Sequence, residues 1–121
     1  MRGQVTIGDK TVDMLANGAT PFIYKRIFKR DFLTIASDAK NIDTNALAEL
    51  GFVMYMQTVK PFKQILDETT IDEFYTWVSD FEPLDIPMAA GQIFALFHSQ
   101  ESMNVTAKKK HTRRSAEQAP L

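Results

Sequence analysis

Two histidines, one cluster of carboxylates and two clusters of basic residues are the groups in this 121-residue chain whose types can do chemistry. A metal site or a general base needs such groups held close together, with a second group fixing their orientation. His98 closes an apolar helical run and His111 falls in a polar tail. Their placement predicts a structural His98 and a solvated His111. Asp67, Glu68, Asp72 and Glu73 are of the right type for a divalent cation. They flank a helix start, however, where acids are favoured by the helix dipole, so capping is the expected role. The chain has no cysteine, which excludes a disulfide framework, a thiolate metal site and a cysteine nucleophile. No P-loop, GxGxxG, HExxH or GxSxG pattern occurs, and Gly18 and Gly91 stand alone. The residues therefore predict no enzyme, no cofactor and no metal.

The basic residues point to binding. Lys25, Arg26, Lys29 and Arg30 form a quartet, and Lys108, Lys109, Lys110, Arg113 and Arg114 form a second group in the tail. Both are of a type that touches phosphate. Residues 101–121 carry five basic residues against Glu101 and Glu117, a net +3, which leaves residues 1–100 at −4 of the total −1. An acidic body is not expected to bind nucleic acid, whereas a flexible basic tail does so weakly at low salt. A small basic-tailed nucleic-acid-binding or regulatory adapter is thus the alternative to a protein that binds other proteins.

These groups are positioned by elements with a mostly helical pattern. Apolar residues make up 45% of the chain, enough for the core of one domain, and no stretch approaches the roughly 20 apolar residues needed to cross a bilayer. No membrane partner is expected, and the N-terminus lacks the apolar core of a secretory signal. Residues 4–15 alternate like a hairpin, with Gly8-Asp9-Lys10 as the turn. A lone hairpin is marginal, so it must pack on its own helices or pair with a second chain. Thr20 is the expected N-cap of a helix with Pro21 at its first position, and Ile23, Tyr24, Ile27 and Phe28 share its apolar face. Asp31 would interrupt that face, which predicts a break with Asp31 capping a second short helix. Asp43 or Thr44 caps the next helix, apolar nearly all round from Ala46 to Met56, hence central in the core or against another subunit. Pro61 ends it.

Thr70-Ile71-Asp72-Glu73 has the form of a capping box. The helix after it is expected to place Ile71, Phe74, Tyr75 and Val78 on one stripe, with Trp77 and Phe81 beside it. Pro83 breaks that helix, and Asp85 caps a last one with Ile86, Ala90, Ile93 and Phe97 at helical spacing. The fold class is mainly α: a helical domain of four to six helices over 1–100 with a short N-terminal β-hairpin, then a disordered basic tail over 101–121.

The run Gly18-Ala19-Thr20-Pro21-x-x-Tyr24-Lys25-x-x-Phe28-Lys29-Arg30-Asp31 resembles the signature of tail assembly chaperones from long-tailed (siphovirus-type) phages of Gram-positive bacteria. Phe81-Glu82-Pro83-Leu84-Asp85 ahead of the last helix and the lysine-rich C-terminal run are similar too. The resemblance covers residues 4–114 in order and type. Lys29 departs from it, standing where many members have glycine, and Ser115 to Leu121 match no part of the pattern.

The resemblance implies a helical chaperone, in the host cell cytoplasm, that coats the tape measure protein. It would keep that client soluble until the tail tube polymerises around it, and would be absent from the mature virion. In many such phages a programmed ribosomal frameshift near the end of the gene adds a domain that recruits the tail tube protein. Lys108-Lys109-Lys110 is compatible with the A-rich codons such a shift uses. The candidate protein-binding residues are Tyr24, Lys25, Phe28 and Arg30 on the first helix, Phe52, Met54 and Met56 on the apolar helix, and Trp77. A homo-oligomer is a further expectation.

Overall fold

The computed structural model describes residues 2–112, with side chains up to Ser99 apart from that of Ala39. The chain is mainly α. It opens with the hairpin β1 (Arg2–Ile7) and β2 (Lys10–Leu15), followed by α1 (Thr20–Phe28) and α2 (Phe32–Ala36). A single 3-10 turn, Ala39–Asn41, leads into α3 (Thr44–Val59), α4 (Phe62–Glu68), α5 (Ile71–Val78) and α6 (Asp85–Thr112). The tail expected to be disordered over 101–121 falls on residues whose side chains, and from 113 onward whose backbone, lie outside the described residues; the α6 backbone continues to Thr112.

The hairpin closes at Gly8-Asp9, with Ile7 paired to Lys10 and Val5 to Val12 in antiparallel register. Gly8 has φ 64 and Asp9 does not share that sign, the pattern of a type II′ turn, which takes glycine at its first central position. A side chain there would also collide with Asp85, whose Cγ lies 2.6 Å from where a Cβ would stand. Val5, Ile7, Val12 and Met14 alternate inward and are buried, so the hairpin packs on its own helices, as a marginal ribbon must.

α3 is the centre of the core. Asp43 caps it, accepting from the Ala46 N–H at 2.6 Å, and residues from Ala46 to Met56 bury almost every side of it. It meets the hairpin on one side and α6 on another. Gly51 allows that approach: Ile93 Cδ1 lies 3.0 Å from where its Cβ would be. Five of the nine phenylalanines, Phe28, Phe32, Phe52, Phe74 and Phe97, form an array connected through Tyr24. Phe28 and Phe52 both meet Phe74 edge-on, at 5.2 and 5.6 Å between centroids, and Phe32 meets Tyr24 and Phe97 at 5.2 and 5.3 Å. Such pairs add about 0.5–1.5 kcal/mol each beyond area burial.

Three local readings are corrected by the structure. Thr20 does not cap α1: it is its first residue, wholly buried, with Oγ1 accepting from the Asn17 N–H and donating to Gln57 Oε1. The hydroxyl holds the preceding turn to α3 instead. The buried stripe of α5 is Phe74 and Trp77, while Ile71 and Tyr75 face solvent, because α5 leans on α3 with the face one residue further round. Asp85 does not cap α6 from outside but is its first residue, its carboxylate accepting from the Glu82 N–H at 2.9 Å.

Other expectations hold. Asp31 ends the α1 pattern and caps α2 by accepting from the Leu33 N–H. The capping box at α5 is complete, with Thr70 Oγ1 accepting from the Glu73 N–H and Glu73 Oε1 from the Thr70 N–H.

Candidate interaction surface

No group of three or more His, Cys, Asp or Glu side chains among the described residues is placed to hold a metal ion. Glu73 is taken up by the capping box and by Lys60, whose Nζ donates to its Oε2 at 2.9 Å, and Glu68 accepts from Gln64. His98 is exposed and stacks on Phe94 at 5.7 Å; His111 lies outside the described side chains. No helix among the described residues is long and apolar enough to cross a membrane.

The residues proposed from sequence as partner contacts divide by burial. Tyr24, Phe52, Met54, Met56 and Trp77 are core residues, between 0 and 9% exposed, so in this conformation they hold the fold, and of Trp77 an edge also lines a surface groove. A helix apolar all round is consumed by its own neighbours here, rather than by another chain. Phe28 is half-buried among Tyr24, Phe52 and Phe74. Lys25 is the one of the eight that is exposed.

Arg30 turns inward. Glu49 Oε1 accepts from both the Tyr24 hydroxyl, at 2.6 Å, and Arg30 Nη2, at 2.5 Å, while Arg30 Nη1 stands 3.9 Å from Asp43. Burial, reinforced by the Glu49 carboxylate, pushes the Tyr24 phenol above its ordinary pKa. The hydrogen bond to Glu49 likewise raises the Arg30 guanidinium. The tyrosine and arginine of the sequence signature therefore clamp α1 and its following turn to α3. Glu49 lies in α3, and no local pattern links it to Tyr24, 25 positions away.

Compared with known protein families, curated proteins and solved structures, the chain matches none.

What the surface offers is apolar. Phe22, Phe62, Tyr75, Leu84 and Met88 are each more than half exposed, with Met88 at 81%. Their periodicity explains why the sequence hid them: Phe22 lies one residue off the buried Ile23–Ile27 face, and Phe62 follows directly on Pro61. Phe62 also borders a depression of about 210 Å³ between α1 and α4, floored by Ile23 and Ile65. The Gln57 amide closes one rim by donating to Asn17 Oδ1 at 3.0 Å. The basic quartet lies on the outer side of α1 as far as Lys29, with Arg30 drawn into its ion pair.

Proposed function

We propose that this protein is a phage tail assembly chaperone that binds the tape measure protein and keeps it soluble until the tail tube forms around it. The observation that carries this reading is the placement of the signature residues. Tyr24, Phe28, Arg30 and Asp31 are the groups that set the path of the chain from α1 through α2 to α3. A signature built of such residues belongs to a fold, and the resemblance ties that fold to chaperones.

The surface suits the role. A chaperone of a long client needs no catalytic group; it needs apolar contacts of modest strength, repeated along the client, so that the growing tube can displace it. Exposed Phe22, Phe62 and Met88 on separate helices supply such contacts. Self-association along the client, action in the host cytoplasm, absence from the mature virion, and a frameshifted form that engages the tail tube protein belong to the same proposal.

Co-expression with a phage tape measure protein tests it. Co-purification of the two, with rescue of the client's solubility, is the expected result. A client that stays insoluble and alone in the presence of folded chaperone overturns the reading.

A further inference from the structure

The two edges of the hairpin are finished differently. A two-stranded ribbon leaves a row of outward N–H and C=O groups on each strand. On β1 one side chain covers them at Thr6: its N–H donates to Gln92 Oε1 at 3.1 Å, and Gln92 Nε2 donates to its carbonyl at 3.4 Å. The glutamine amide stands where the peptide group of a neighbouring strand would. Since Thr6 points its polar groups outward, its cross-strand partner Thr11 does the same on the opposite edge, as does Asp13 two residues on.

Among the described residues no equivalent amide covers Thr11 and Asp13. Beside them runs a groove of about 610 Å³, with Tyr55, Thr58 and Val59 of α3 along one side and Trp77, Asp80 and Phe81 beyond. Tyr55 and Trp77 stack at 5.8 Å to give it an aromatic lining.

We propose that this groove binds an extended segment of a partner protein as a third strand, antiparallel to β2, whose side chains alternate between apolar and basic. The inference rests on the reading that the protein binds a polypeptide client, and it names where and in what conformation. Three features select the occupant. Thr11 and Asp13 present donor–acceptor pairs two residues apart, about 7 Å along the strand, a repeat that a peptide backbone matches. The inward-facing side chains of an added strand fall on Tyr55, Val59 and Trp77, which calls for apolar residues.

The third feature is charge. The lining holds two carboxylates, Asp13 and Asp80, and one cation, Lys10, whose ammonium is already committed to the Asp80 carbonyl at 3.1 Å and lies 5.1 Å over the Phe81 ring. Neither carboxylate has an ion-pair partner among the described residues, so the outward positions of the added strand favour lysine or arginine.

The test uses the whole chain and a blocked heptapeptide of alternating lysine and valine. Amide hydrogen exchange at Thr11 and Asp13 is expected to slow at least tenfold at saturation, with Thr6 unchanged and the emission of the single tryptophan, Trp77, shifted. The same peptide methylated on its lysine backbone nitrogens, or with glutamate for lysine, is expected to give neither effect. Equal protection by the methylated peptide, no protection at all, or protection that rises with protein concentration without peptide (a second copy on the edge) each overturns the proposal.

Thr11→Pro links the groove to the client, since it removes an outward N–H and leaves the β1 ladder intact. Val59→Glu, at an exposed position, gives a second block should the proline disturb the hairpin. Undiminished client co-purification by folded variants of both kinds overturns the groove as the client site. A wild-type protein that binds the heptapeptide yet never takes the client sinks the chaperone reading and leaves the groove standing.

Discussion

Tyr24 and Arg30 share one acceptor: Glu49 Oε1 takes the tyrosine hydroxyl at 2.6 Å and the guanidinium at 2.5 Å. The phenol is buried, so its hydrogen bond has little competition from water. Tyr24→Phe is expected to lower stability by about 1.5 kcal/mol, the low end for a bond to a charged group, because Arg30 still satisfies the carboxylate. Glu49→Ala is expected to cost more, about 3 kcal/mol, since both donors then lose their common partner. Urea unfolding followed by Trp77 emission measures both. A smaller loss for Glu49→Ala than for Tyr24→Phe would contradict this arrangement.

The same cluster predicts the behaviour of the fold in alkali. The folded state holds the Tyr24 phenol neutral by burial and by its bond to Glu49, so its pKa lies above the unfolded value. This contribution is complete below about pH 10, where the unfolded chain also keeps its proton. It is lost as the pH rises from there towards the folded value, at about 1.4 kcal/mol per pH unit. Tyr24→Phe removes this part of the slope. Unfolding free energies at pH 8, 10 and 11 should therefore converge for the two proteins as the pH rises.

Lys29 has φ 62 and is the one non-glycine residue with positive φ among those described. It ends α1 in a left-handed conformation, its N–H donating to the Lys25 carbonyl at 2.9 Å. A β-carbon there costs about 1–2 kcal/mol, part of which glycine returns as entropy in the unfolded chain. Lys29→Gly is expected to stabilise the protein by about 0.5–1 kcal/mol. Lys29→Val, which is β-branched, is expected to destabilise it by more than that. A melting series over the three proteins decides the order.

Local signals in the sequence went far for this chain, and long-range ones did not. Asp31, Asp43 and the Thr70–Glu73 box act on backbone within three residues, so their residue types announce them. Lys29 was visible as a departure from a glycine position, and the structure gives the departure its geometry. The candidate contact residues fared differently. Phe52, Met54 and Trp77 were selected for being large and apolar, which is also what selects a core residue. Which face of α5 turns inward depends on how it leans on α3, and no periodicity within eight residues fixes that angle. Gln92, 86 positions away from Thr6, covers the outer edge of β1, a contact that no local pattern announces.

The capping box at α5 offers a separate test because it is also a tether. Glu73 accepts from the Thr70 N–H through Oε1 and from Lys60 Nζ through Oε2, joining the end of α3 to the start of α5. Thr70→Ala is expected to cost about 1 kcal/mol, as for a lost N-cap. Glu73→Ala loses both the reciprocal cap and the ion pair and is expected to cost about 1–2 kcal/mol. High salt should narrow the gap between the two variants, since only the ion pair is screened.

Exposed and buried apolar residues should part company when polar groups replace them. Phe22 is 69% exposed and Phe62 54%, so Phe22→Ser and Phe62→Ser are expected to shift stability by no more than about 0.5 kcal/mol. Met54 is wholly buried, and Met54→Ser is expected to cost about 3 kcal/mol or more through the cavity and an unpartnered hydroxyl. Client co-purification should show the reverse order. If Phe22 and Phe62 belong to the contact surface, their double variant folds normally and recovers several-fold less tape measure protein. A double variant that folds and retains the client in full would place the contact elsewhere, and the β2 groove, which neither residue lines, is then the site to vary.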